Sequence, residues 1–130
     1  MIYSLGDFSI SSAGTSTGTP ITDLNSMREV TLSARLAYGS GGTTAIAYVQ
    51  TSFNQGATWV DIARMDFATS GIEKIANLSG STPRTSPLTV TSLIAEGGND
   101  GVLGDRLRAV VTSTGTYAGS TVLSVRASVR

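Results

Sequence analysis

The chain has no cysteine and no histidine. Without thiols there is no disulfide framework and no Cys-ligated zinc, and without imidazole no His-dependent triad or His-ligated metal can form. Charge is sparse as well: nine Lys and Arg balance nine Asp and Glu, and Lys74 is the one lysine. Such a chain has no long-range field to gather nucleic acid or an anionic membrane, which leaves only local arginine contacts. Long apolar runs are also missing, since none approaches the roughly eighteen residues of a membrane-spanning helix. The start Met1-Ile2-Tyr3-Ser4 lacks a cationic region followed by an apolar one, so a soluble chain without a secretion signal is expected.

What is abundant points one way. Ser and Thr make 36 of the 130 residues and Gly another 15, so helix formers are scarce. Thr, Val and Ile favour a pleated, half-buried surface, and Gly, Ser and Asn favour turns. The length suits one domain, and the composition predicts an all-β one.

Met1 to Ile10 alternates loosely, with Tyr3, Leu5 and Phe8 as apolar anchors, and gives way to the small polar stretch Ser11 to Pro20. Residues 1–20 read as an N-terminal strand or arm and linker, either mobile or ordered against a neighbour, and residues 21–130 as a single β-sandwich domain. Ile21 to Arg28 holds the one plausible helical turn, with Thr22 or Asp23 as its cap. Val30, Leu32, Ala34, Leu36 and Tyr38 then alternate with polar residues in the clearest strand of the chain. After Gly39-Ser40-Gly41-Gly42, Thr43 to Phe53 is apolar on both faces, as a central strand is. Trp59 to Phe67 alternates again, with Trp59, Ala63, Met65 and Phe67 on one face and Val60, Ile62, Arg64 and Asp66 on the other.

Ile72 to Leu78 is a shorter strand, Ser79 to Pro87 an extended loop carrying Arg84, and Leu88 to Ile94 a segment suited to pairing at an edge. Glu96 to Gly104 reads as a long turn, and Arg106–Thr114 and Thr121–Val129 as a closing hairpin. Seven or eight strands with frequent turn signals predict a two-sheet antiparallel sandwich, jelly-roll or immunoglobulin-like.

One local motif is recognisable. Ser52-Phe53-Asn54-Gln55-Gly56-Ala57-Thr58-Trp59 resembles the Asp-box hairpin Ser-x-Asp-x-Gly-x-Thr-Trp, with Asn54 in the Asp position. In that pattern Asn54 accepts from turn amides, Gly56 takes positive φ, Ser52 faces Thr58, and Trp59 pins the hairpin to the core. In sialidases and related propellers the box recurs once per blade and is structural. A single copy in a chain of 130 residues reads as a β-hairpin signature.

Catalytic chemistry finds little to work with. Asp61 and Asp66 are five apart, which places them on opposite sides of one strand, and Glu73 and Lys74 diverge in the same way. Glu96, Asn99, Asp100 and Asp105 are the best oxygen donors for Ca²⁺, yet they match no EF-hand spacing, and turn formation accounts for them without an ion. Gly39 to Gly42 is followed by neither Lys-Ser/Thr nor a helix, so it is no phosphate loop. No enzyme activity, cofactor or metal is expected. Arg106 and Arg108 share a strand face, and Arg126 lies across from them if the last two strands pair. These guanidiniums either meet acidic groups on a partner or form the polar outer face of a sheet.

Three further segments carry a resemblance: Thr58-Trp59-Val60-Asp61-Ile62-Ala63, Gly101-Val102-Leu103-Gly104-Asp105-Arg106-Leu107-Arg108, and Thr112-Ser113-Thr114-Gly115-Thr116-Tyr117-Ala118-Gly119, within a Gly/Ser/Thr-rich body. Together they resemble small bacteriophage virion proteins, above all head decoration or cement proteins and β-sandwich tail components. The resemblance implies a structural protein of the virion, assembled in the host cytoplasm. Such a protein binds the major capsid protein or other virion subunits as a dimer or trimer. On that reading Tyr3, Leu5 and Phe8 of the arm, Arg84 of the loop, and Arg106, Arg108 and Arg126 are the contact residues. A tail or baseplate component, or a glycan-binding module with exposed aromatics such as Tyr117, are the alternative roles.

Overall fold

The computed structural model describes residues 1–130. Alternation is cleanest in the segment Glu29–Ala37, where Val30, Leu32, Ala34 and Leu36 are fully buried and the residues between them face outward. The same rule operates in most of the long strands, and the buried rows form the core. In chain order the strands are β1 (Ile2–Ser9), β2 (Gly14–Thr17), β3 (Glu29–Ala37), β4 (Ser40–Gly41), β5 (Thr44–Thr51) and β6 (Val60–Phe67). They continue as β7 (Ile72–Ser79), β8 (Gly97–Gly98), β9 (Leu107–Thr114), β10 (Tyr117–Ala118) and β11 (Val122–Val129).

They build an all-β sandwich. The first sheet has the order β1-β11-β3-β7 and the second β2-β9-β5-β6-β8, every pair antiparallel, with the small ribbon β4-β10 at one end. A cluster of 25 buried side chains lies between the sheets. β5 is central, flanked by β9 and β6, with Ala45, Ala47 and Val49 inward and Ile46 and Tyr48 half-buried outward.

Several expectations are overturned. Of the strand and arm readings of residues 1–10 the strand is found and the arm is not: β1 pairs with β11 with one bulge between Ser4 and Gly6, Leu5 is buried in the chain's own core, and Tyr3 and Phe8 pack against that core. Ser11 to Pro20 likewise contributes β2, which pairs with β9 from Gly14 to Thr17, so strand pairing runs across the expected boundary at residue 20. A run of small residues buries little, yet its main-chain groups complete an edge ladder as well as any others.

Ile21 to Arg28 forms no helix. Its main chain bonds instead to the segment leading into β9, Ile21 with Leu107 and Leu24 with Asp105, which lowers Leu24 and Met27 into the core. Leu88 to Ile94 forms no strand, and Val90 and Ile94 remain exposed.

The final two long strands do not form a hairpin. β9 belongs to the second sheet and β11 to the first, so Gly115 to Ser120 arches across the end of the sandwich. Tyr117 in that arch is fully buried, donates to the Ala68 carbonyl (2.7 Å) and meets the Tyr38 ring edge-on at 6.2 Å. A side chain at Gly42 (φ 72°) would overlap the Tyr117 ring, which explains the glycine there. The aromatic expected in an open loop is the plug of the sandwich.

A β-bulge changes the parity of β6. Val49 pairs with Ala63 but Gln50 pairs with Asp61, leaving Ile62 as the extra residue. Val60 and Ile62 are therefore buried together with Ala63, Met65 and Phe67, while Trp59, Asp61, Arg64 and Asp66 turn outward. Period-two counting put Val60 and Ile62 outside and Asp61 opposite Asp66. One inserted residue reverses both assignments.

Candidate functional site

The Asn54 turn is held by side chains. Asn54 Oδ1 accepts from Thr58 N–H (2.9 Å), Asn54 Nδ2 donates to Thr58 Oγ1 (2.7 Å), and Ser52 Oγ accepts from Gly56 N–H (2.8 Å). Gln55 and Gly56 both have positive φ (61° and 88°), the backbone such a tight loop requires. The amide of Asn54 donates as well as accepts, which a carboxylate at that position could not do. Trp59 does not enter the core. Its Nε1 donates to the Gly56 carbonyl (3.1 Å), and its ring lies on the outer face of the second sheet beneath the Arg108 guanidinium, 4.2 Å from the centroid.

That contact begins a chain of polar groups across the outer face. Arg108 Nε donates to Gln50 Oε1 (2.7 Å), Gln50 Nε2 to Asp61 Oδ1 (2.7 Å), and Leu93 N–H to Asp61 Oδ2 (3.0 Å). Asn99 Nδ2 donates to the Asp61 carbonyl (2.8 Å) and Arg64 Nη1 to the Leu93 carbonyl (3.0 Å). This strut fastens the 80–96 loop over the sheet, which is why Asp61 is buried on the outer side of its strand. Burial lowers the Arg108 guanidinium from its ordinary value, and the Asp61 charge opposes that shift. Arg64 sits over Tyr48 at 5.7 Å, so both outward aromatics of the second sheet are roofed by guanidiniums. A sugar ring stacks on an open aromatic face, and on each of these rings an arginine occupies that position.

The other outward residues of both sheets are mostly short. The first sheet shows Ser4, Ser9, Ser124, Ser128, Thr31 and Ser33, together with exposed Arg35 opposite Glu73 and two ion pairs, Arg126 with Asp7 (2.8 Å) and Arg130 with Glu29 (3.4 Å). The second shows hydroxyl pairs across strands, Thr15 with Thr112 (3.2 Å) and Thr44 with Thr114 (2.6 Å). Because β9 and β11 lie in different sheets, Arg126 is on the opposite face of the sandwich from Arg108. Arg106 turns to its neighbour Asp105 (2.9 Å), and Arg84 reaches the Asp100 carbonyl from the exposed loop. The three arginines therefore share no face, Arg126 standing apart from Arg106 and Arg108.

The four oxygen donors considered for Ca²⁺ are likewise dispersed. Glu96 pairs with Lys74, Asn99 serves Asp61, Asp105 serves Arg106, and Asp100 accepts from Ser79 N–H (2.6 Å), Thr82 Oγ1 and Gly101 N–H. Their hydrogen-bond partners hold the Glu96, Asp100 and Asp105 carboxyls below the usual range: Lys74 for Glu96, the Ser79 amide for Asp100, and Arg106 for Asp105. No three acidic side chains converge.

The largest concavity, about 490 Å³, lies where β7 of the first sheet faces β6 and β8 of the second. Lys74 points into it from β7, donating to the Asp66 carbonyl (2.6 Å) and to Glu96 Oε1, with Nζ 5.4 Å from the Phe67 ring centroid. Asp66 N–H in turn donates to Glu96 Oε1 (2.9 Å). The apolar residues left exposed include Ile72 and Ile75 on β7 and Val90 and Ile94 on the loop fastened beside it. Set beside known proteins, the chain matches no protein-family model and no curated protein.

Proposed function

We propose that this protein is a structural component of a bacteriophage virion, binding the assembled capsid and stabilising it as a decoration or cement protein without catalytic chemistry. The observation that carries the reading is the first sheet's outer face, rich in short hydroxyls, whose ion pairs Arg126–Asp7 and Arg130–Glu29 are closed within the chain, with Arg35 set opposite Glu73 among them. Such a face packs closely on a neighbouring subunit at little cost in side-chain entropy, because Ser and Thr have few rotamers to lose. The virion resemblance of the sequence supplies the class of neighbour, the major capsid protein.

With residues 1–20 committed to the sandwich, the exposed stretch 80–87, which follows β7 and carries Arg84, is the loop left free to meet a neighbouring subunit. Copies held at a fixed lattice spacing are retained together even when each contact is weak. The test is to tag the chain, purify particles from infected cells and image them by cryo-EM, alongside particles lacking the chain. Density on the head surface and earlier heat release of DNA from the lacking particles are expected. Density confined to the tail assigns it there instead, and particles without the chain overturn the reading.

A further inference from the structure

The outer edge of β7 has no strand beside it. Gly80 N–H donates to the Arg28 carbonyl (2.6 Å), and β3 and β7 pair in continuous register from there. Antiparallel alternation then directs the main-chain groups of Leu78, Ala76, Lys74 and Ile72 to β3, and those of Ser79, Asn77, Ile75 and Glu73 to the open side. Ser79 is already closed, since its N–H donates to Asp100 Oδ1 and its carbonyl accepts from Gly101 N–H (2.9 Å). Glu73, Ile75 and Asn77 are exposed, and the chain supplies no ladder partner beyond them. An uncovered edge of this kind, with an isoleucine 68% exposed at its centre, is a template for another strand.

We propose that the occupant is a second copy of this chain, joined β7 to β7 about a two-fold axis through Ile75. The segment Glu73-Lys74-Ile75-Ala76-Asn77 is self-complementary in this antiparallel register. Ile75 meets Ile75 of the other copy, Glu73 lies opposite Asn77, and Lys74 opposite Ala76, so no like charges face each other and the Asn77 amide donates toward Glu73. Each of the three open residues donates one main-chain bond and accepts one, and the Asp100 and Gly101 contacts at Ser79 end the ladder where the segment ends. Two four-stranded sheets thereby become one continuous sheet. The proposal holds whether or not the chain resides in a virion.

The absence of cysteine allows a clean test of register. At a hydrogen-bonded pair the two Cα atoms stand about 5.5 Å apart, within disulfide reach, so Ile75→Cys should oxidise rapidly to a covalent dimer. Glu73→Cys, which faces Asn77 in the other copy, should cross-link at least about tenfold more slowly, and the double variant Glu73→Cys/Asn77→Cys should recover the rate. Sedimentation of the unmodified protein from micromolar to millimolar concentration should show a monomer–dimer equilibrium, weakened at least about tenfold by Ile75→Lys, with the thermal midpoint of the variant retained at dilutions where both proteins are monomeric. A monomer at every concentration, a dimer indifferent to Ile75→Lys, or equal cross-linking of the two single cysteine variants overturns it.

Discussion

Along one side of the sandwich the two sheets present their last long strands, β6 and β7, and these edges are finished in opposite ways. On β6 the main-chain groups of Asp66 are taken up by Glu96 and Lys74, and β8 adds a two-residue ladder opposite Ala63 and Arg64. Asp61 and Arg64 hold the covering loop in place. On β7 only Ser79 receives such treatment, and the stretch Glu73 to Asn77 is left bare. The same chain thus closes one edge with charged side chains and leaves its neighbour open. The difference locates where self-association is suppressed and where it is permitted.

The largest effect on this contrast comes from beneath both edges. Leu78 is buried at the β7 end, with Cδ2 close to Gly98 of β8, so Leu78→Ala should cost about 2–4 kcal/mol in urea unfolding and loosen both strands. A loss under about 0.5 kcal/mol would mean that this corner collapses without penalty. Asp61→Ala comes next, at about 2 kcal/mol, because Gln50 Nε2 and the Leu93 amide lose their acceptor together. Hydrogen exchange checks the cause: amides of the 80–96 loop should lose protection while those of β3 keep theirs.

Lys74→Ala should cost only about 1 kcal/mol, since the pair it breaks is partly solvated. It uncovers the Asp66 carbonyl, however, and should make the closed edge behave like the open one. Light scattering at high concentration should report added self-association, and unchanged association would show that β8 alone protects β6.

The smallest effect is in acid. The partners of Asp7, Glu96, Asp100 and Asp105 hold these carboxyls below their ordinary value near about 4. Groups lowered on folding stabilise the protein fully above that value and lose the contribution as pH falls through the folded one. The thermal midpoint should hold from pH 7 to about 5 and decline below about 4, less steeply in Lys74→Ala, where Glu96 has lost its main partner. With no histidine, no imidazole titration overlaps this limb. A midpoint that rises below pH 4 contradicts the assignment.

Much of the scaffold was legible in the residues. The inward row Val30, Leu32, Ala34 and Leu36, the central position of β5 and the all-β class follow from alternation and composition. The Asn54 turn was legible because its hydrogen bonds join residues at most four apart. The strut was not, since Asp61 and Leu93 are 32 residues apart and Arg108 and Gln50 are 58 apart. The nearest sequence signal was the three charges Asp61, Arg64 and Asp66 on a strand otherwise apolar.

The residues alone settled which side chains need a dry environment and where the chain can turn, for these are properties of single side chains and their neighbours in the chain. Which strand lies beside which was decided only in three dimensions: every buried row of period two looks the same to a would-be partner. Hence β9 and β11, the last two long strands, part to different sheets, β1 and β11 close the chain on itself, and Ile62 shifts the parity of β6. Packing chose these pairings because they bring the inward rows onto one core with the main-chain groups of the long strands paired, save along the two edges of the first sheet, β1 and β7.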